Sequence, residues 1–193
     1  MTGAMHAFIR IVDAINYRIG RVTMYGIFVM MAILLWSSIS KTFFNPTLWT
    51  LEMAQFAMVA YYILGGPYSI QMGSNVRMDL LYGNWSNRRK AMIDTMTVLF
   101  LMFYLGVLLY GGLSSLAYSF GYWGTNPIGF FTGLVTGAEE IGRMERSSTA
   151  WRPYIWPIKL IMVIGVFLML LQAISELFKD ILRLRGEEIP HVV

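Results

Sequence analysis

Four apolar stretches separated by short polar segments dominate the chain, at 22–40, 51–70, 91–117 and 156–178. Each has about the length of a crossing, since a helix needs roughly 20 residues to traverse the ~30 Å hydrocarbon core of a bilayer. The pattern predicts an all-α integral membrane protein with four transmembrane helices. The third stretch is the hardest to end, because no charged residue occurs from Thr95 to Ala138. Gly121, Gly124 and Asn126-Pro127 break that run, and the residues left before Glu139 fall short of the ~17 a further crossing needs.

The segments between the stretches carry finer signals. Over 5–20, Phe8, Val12, Ile15 and Ile19 share one side of a helix, while Arg10, Asp13, Asn16 and Arg18 lie away from them. This is an amphipathic helix that either lies in the interface plane or extends the first crossing into the cytoplasm. Asn45-Pro46 reads as a cap followed by a first-turn proline, so the second helix is expected to start there. Gly129, Gly133 and Gly137 recur at every fourth position. On a helix they form a flat strip for a close neighbour, and such a helix would be re-entrant or lie on the outer surface. The same spacing also arises by chance in a glycine-rich loop. Trp49, Trp85, Trp151 and Trp156 flank the stretches and suit the membrane interface.

Composition supports the membrane assignment. Hydrophobic residues make up 56% of the chain and charged residues 13%, about half the ~25% charge of a soluble domain. The start, 1–22, is broken by Arg10, Asp13, Arg18 and Arg21, so it reads as a retained segment and not as a signal peptide. The net charge of +4 orients the chain and does not suggest nucleic acid. Ten Lys and Arg residues flank the stretches on the side of the termini, against four on the other side. The positive-inside rule therefore puts both termini in the cytoplasm. The organisation expected is a cytoplasmic amphipathic segment 1–21, a membrane domain 22–178 and a cytoplasmic tail 179–193.

Chemistry is sparse. With no cysteine, disulfides and thiolate metal sites are excluded. His6 and His191 lie outside every stretch, where they cannot hold a haem between helices. No serine–histidine pair, paired carboxylates or phosphate-binding glycine loop is placed for catalysis, so the chain does not read as an enzyme and no cofactor or metal is expected in it. Glu52, with Gln55 a turn later, binds a proton or cation, pairs with a partner subunit, or is a solvated carboxylate favoured by its helix N-terminus. Asp94 pairs with Lys90 one turn earlier. Lys159 and Glu176 mark the ends of the last stretch and are expected to reach toward the headgroups.

From the second stretch into the third the sequence reads Glu52, Gly65, then Gly73-Ser74-Asn75-Val76-Arg77-Met78-Asp79-Leu80-Leu81, then Arg88-Arg89 and Asp94. This order resembles the small permease (DctQ-type) subunits of tripartite ATP-independent periplasmic (TRAP) transporters, as does 151–172 with Pro157, Gly165 and Gln172. Asn75 and Met78 stand where the family usually has histidine and valine, and the outer segment 121–152 is longer than in a typical member. The resemblance spans about 20–181. It implies a non-catalytic bacterial inner-membrane scaffold beside a large DctM-type permease, which would carry the sodium and substrate sites and move as an elevator. A periplasmic DctP-type protein would deliver small organic acids. Apart from the resemblance, Arg77 is expected to bind lipid phosphate or the partner and Asp79 to pair with Arg88 or Arg89 in the inner turn, the alternative being a topology signal in which the charge alone matters. Two other classes compete: a self-sufficient homodimeric transporter, which needs a carboxylate deep in the bilayer, and the membrane anchor of a respiratory complex.

Overall fold

The computed structural model describes residues 2–73 and 87–185. Arg77, Asp79 and Trp85 lie outside them. The described elements are α1 (Thr2–Met24), α2 (Gly26–Phe43), α3 (Thr50–Gln71), α4 (Asn87–Ser119), α5 (Pro127–Thr136) and α6 (Trp156–Arg185). Apart from an isolated bridge pairing Arg146 with Tyr154, there is no strand among the described residues. α1 and α2 are nearly continuous. Around Tyr25 the hydrogen bonds tighten to three-residue closures, from Tyr25 N–H to Val22 and from Phe28 N–H to Tyr25, which marks a change of winding between the two helices.

α6 is the centre of the bundle. It packs most extensively on α4, then on α3, then on α1, while α2 leans mainly on α3. The apolar core lies between α4 and α6, where Leu105, Val166 and Ala173 are buried beneath Leu101, Met102 and Met169. α3 meets α6 at a point of very close approach. A side-chain carbon on Gly165 would fall 2.1 Å from Ile63 Cγ2 and 3.0 Å from the Ile63 carbonyl oxygen. That carbonyl lacks its usual helical donor four residues on, where Pro67 has no N–H.

Among the described residues, three helical stretches are long and apolar enough to cross a membrane: Gly3–Phe43, Thr95–Ser119 and Trp156–Leu184. The expected second crossing falls within α3, which has 22 residues and so the necessary length. Glu52, Gln55 and its polar aromatic residues leave it less apolar than the other three. α5 has 10 residues, about 15 Å of helix, too short to span. Asn45-Pro46 does not open α3, which starts at Thr50 with Trp49 in the cap position.

The N-terminal helix departs from its predicted polarity. Arg10 and Arg18 face outward, but Asp13 and Asn16 are buried, together with Ile9 and Val12, while Ile15 is exposed. The physical reason is a polar stripe on α6, formed by Gln172, Ser175 and Lys179, which Asp13 faces.

Candidate functional site

Two polar clusters sit at opposite ends of the bundle. At the near end, the first turns of α1 meet the last turns of α6, with Phe8 edge-on to Phe178 at 5.5 Å. Asp13 is the hub. Its Oδ1 accepts from Ser175 at 2.9 Å and from Gln172 at 3.0 Å, and its Oδ2 meets the Lys179 ammonium at 2.7 Å. Lys179 also pairs with Glu176 at 2.7 Å. Asn16 donates to Gln172 at 2.7 Å, and Gln71 of α3 donates to the Asp13 carbonyl at 3.2 Å. A buried charge persists where it is paired and hydrogen-bonded. The cluster thus fastens α1 to α6 and ties α3 to it.

At the far end the loop between α5 and α6 returns over the helix ends. Glu145 accepts from Lys159 at 2.7 Å and from Ser119 at 2.9 Å, and Lys159 also donates to the Ser115 carbonyl at 3.2 Å. Burial pushes the Glu145 carboxyl up, but the Lys159 ammonium and the Ser119 hydroxyl outweigh it and hold the group below its ordinary value of 4.5. Two residues on, Ser147 donates to Glu52 in the first turn of α3 at 3.1 Å. One loop therefore links α3, α4 and α6. α5 docks beside it through Phe130, which is buried and stacked on Tyr122 at 4.6 Å.

Of the residues singled out in the sequence, Glu52 and Lys159 meet this loop. Glu52 is only 4% exposed, and its second oxygen has no partner among the described residues. Lys159 does not reach for the headgroups, because Glu145 holds it. Gln55 is exposed on α3, and Gly65 has open space beside it. The glycine strip serves its own segment. A side chain at Gly129 would strike the capping side chain of Asn126, one at Gly133 would strike Glu139, and Gly137 is the left-handed cap of α5 at φ 75°. Trp49 and Trp151 are exposed at the far end, and Trp156 opens α6 against Phe120 at 5.8 Å. Arg88, Arg89 and Asp94 lie on the first turns of α4, with their side chains outside what is described. The proposed pairs of Asp79 and Asp94 are outside it too. The sequence reading missed Asp13, Gln172 and Glu145, whose partners are distant in the chain.

The family described as tripartite ATP-independent periplasmic transporters, DctQ component, matches residues 30–183. The chain belongs to that family. It is a membrane protein and the small permease component of a TRAP transporter. The match takes in α3, α4, α5 and nearly all of α2 and α6, hence the whole far-end cluster and the α6 half of the near-end one. Comparison with curated proteins and with solved structures yields no match.

Proposed function

We propose that this DctQ subunit is a static brace for a large DctM-type permease, and that the permease carries the sodium and substrate sites. The observation that carries this reading is how the ionisable groups are used. Asp13 with Lys179, and Glu145 with Lys159, join helices of the chain to one another at its two ends. A residue that tethers helices in this way is poorly placed to bind and release a travelling ion. Much apolar surface also remains outward. Of the 18 most apolar consecutive residues of α6, 44% are buried inside the chain, against 6% of those in α4 and none of those within Gly3–Phe43. Lipid or a partner's helices must cover the rest.

In this reading α3 is a fourth crossing, both termini are cytoplasmic, the membrane is the bacterial inner membrane, and the far end receives a DctP-type periplasmic protein loaded with a small organic acid. The test is reconstitution in liposomes. The chain alone should move no organic acid under a sodium gradient, whereas transport should appear with the co-purified large permease and binding protein. Transport by the isolated chain would instead support a self-sufficient carrier.

A further inference from the structure

At the far end, beside the Glu145 loop, a cleft of about 750 Å³ is lined by Arg143, Arg146, Arg152, Tyr118, Trp123 and Tyr154. Its charge is one-sided. Glu145, the acid in its wall, is engaged by Lys159 and Ser119, which leaves three guanidinium groups in one concavity. Arg146 is held in place, stacked over the Tyr154 ring at 4.4 Å and donating to its hydroxyl. Arg152 is the one non-glycine residue with positive φ among the described residues, at 50°. Such a strained backbone persists only where its surroundings dictate it, and it is often found at ligand clamps.

The depth of the cleft follows from its walls. Tyr118 lies in the last turn of α4, at the end of the apolar stretch Thr95–Ser119, and Tyr154 stands two residues before α6 opens at Trp156. Trp123, 80% exposed, forms part of the rim. Aromatic residues at the ends of apolar helices mark the headgroup level. Arginine forks match phosphate oxygens in pairs.

We infer that this cleft is a binding site for the phosphate of an anionic phospholipid. Three arginines disfavour headgroups that carry their own cation, such as choline, and select a phosphoglycerol headgroup. The inference needs the membrane setting but not the bracing role.

The test is native mass spectrometry of the full chain, titrated with phosphatidylglycerol, phosphatidylcholine or inorganic phosphate. One phosphatidylglycerol should bind at least about tenfold more tightly than phosphatidylcholine, the scale of one or two charge-assisted hydrogen bonds. R143Q/R146Q/R152Q should abolish that preference, and millimolar phosphate should not displace the lipid. R146K/R152K keeps the charge but loses the forks, and should retain helicity while weakening binding several-fold. It serves as the deciding variant if the triple substitution does not fold. Equal affinity for the two lipids, a preference that survives the substitutions, or displacement by inorganic phosphate would each overturn the inference.

Discussion

Glu145 shows how a single side chain organises the far end. The loop that carries it is held to the α4 end by backbone bonds, Glu145 N–H to Ser119 at 3.0 Å and Gly142 N–H to Phe120 at 2.9 Å, and to the start of α6 by the Lys159 ammonium donating to the Glu145 carboxylate at 2.7 Å and by Ile155 N–H donating to the Glu145 carbonyl at 3.4 Å. Because the folded carboxyl sits below its ordinary value of 4.5, its contribution is present above that value. It is lost as pH falls through the still lower folded value. Thermal melts in detergent should therefore show the wild type losing more stability on acidification through this window than Glu145→Gln does. At neutral pH the same substitution should cost about 1.5–3 kcal/mol, the scale of a hydrogen bond to a charged group. Lys159 was legible in the sequence as a lone cation at a span end, and its partner was not. A carboxylate 14 residues earlier, in a loop of no regular period, leaves no pattern from which the pair can be read.

At the scale of elements, the near-end cluster ties α1 to α6 and the Gly165 contact sets how closely α3 approaches α6. Asp13→Asn leaves the Lys179 ammonium buried with Glu176 as its remaining carboxylate. Breaking a buried pair from one side costs about 3 kcal/mol, so equilibrium unfolding in mixed micelles should show a loss of that order. Combining it with Lys179→Met should recover much of the loss. An unchanged midpoint for the single variant would mean that α1 is held by its apolar contacts alone. Gly165→Ala forces a methyl group against Ile63, where backbone must give way. Overpacking of this kind costs about 1–3 kcal/mol, and crosslinking between α3 and α6 should drop in parallel. That the chain is all-helical was legible because apolar runs and their breaks are local. The inward turn of Asp13 and Asn16 was not, since it is dictated by Gln172, Ser175 and Lys179 at the other end of the chain. The glycine repeat was misleading for a related reason. Its even spacing suits a helix neighbour, yet an asparagine cap, a returning glutamate and a left-handed turn use the three positions separately.

For the whole molecule, the charge asymmetry and the two polar clusters define two distinct ends. The chain has no cysteine, so single labels report position directly. Ala4→Cys and Thr125→Cys both lie at exposed positions, one at each end. A membrane-impermeant maleimide should label Thr125→Cys in intact spheroplasts and Ala4→Cys only after permeabilisation. Labelling of both from the same side would contradict four crossings with cytoplasmic termini. Family membership was legible in the ordered residues from Glu52 to Asp94, although part of that stretch lies outside the described structure. The braced ends were not legible, because they arise only when α1, α3, α4 and α6 are brought together.

The tie between α1 and α6 also constrains the order in which the molecule can be made. Ser175 and Asp13 are separated by 162 positions, and ribosomes add about 5–20 residues per second, so Asp13 waits on the order of ten seconds for its partners. Throughout that interval the α6 partners of Asp13, Gln172, Ser175 and Lys179, are not yet in place. The bundle therefore cannot close between α1 and α6 until its last helix has been made, and a chain stalled before α6 lacks the tie altogether.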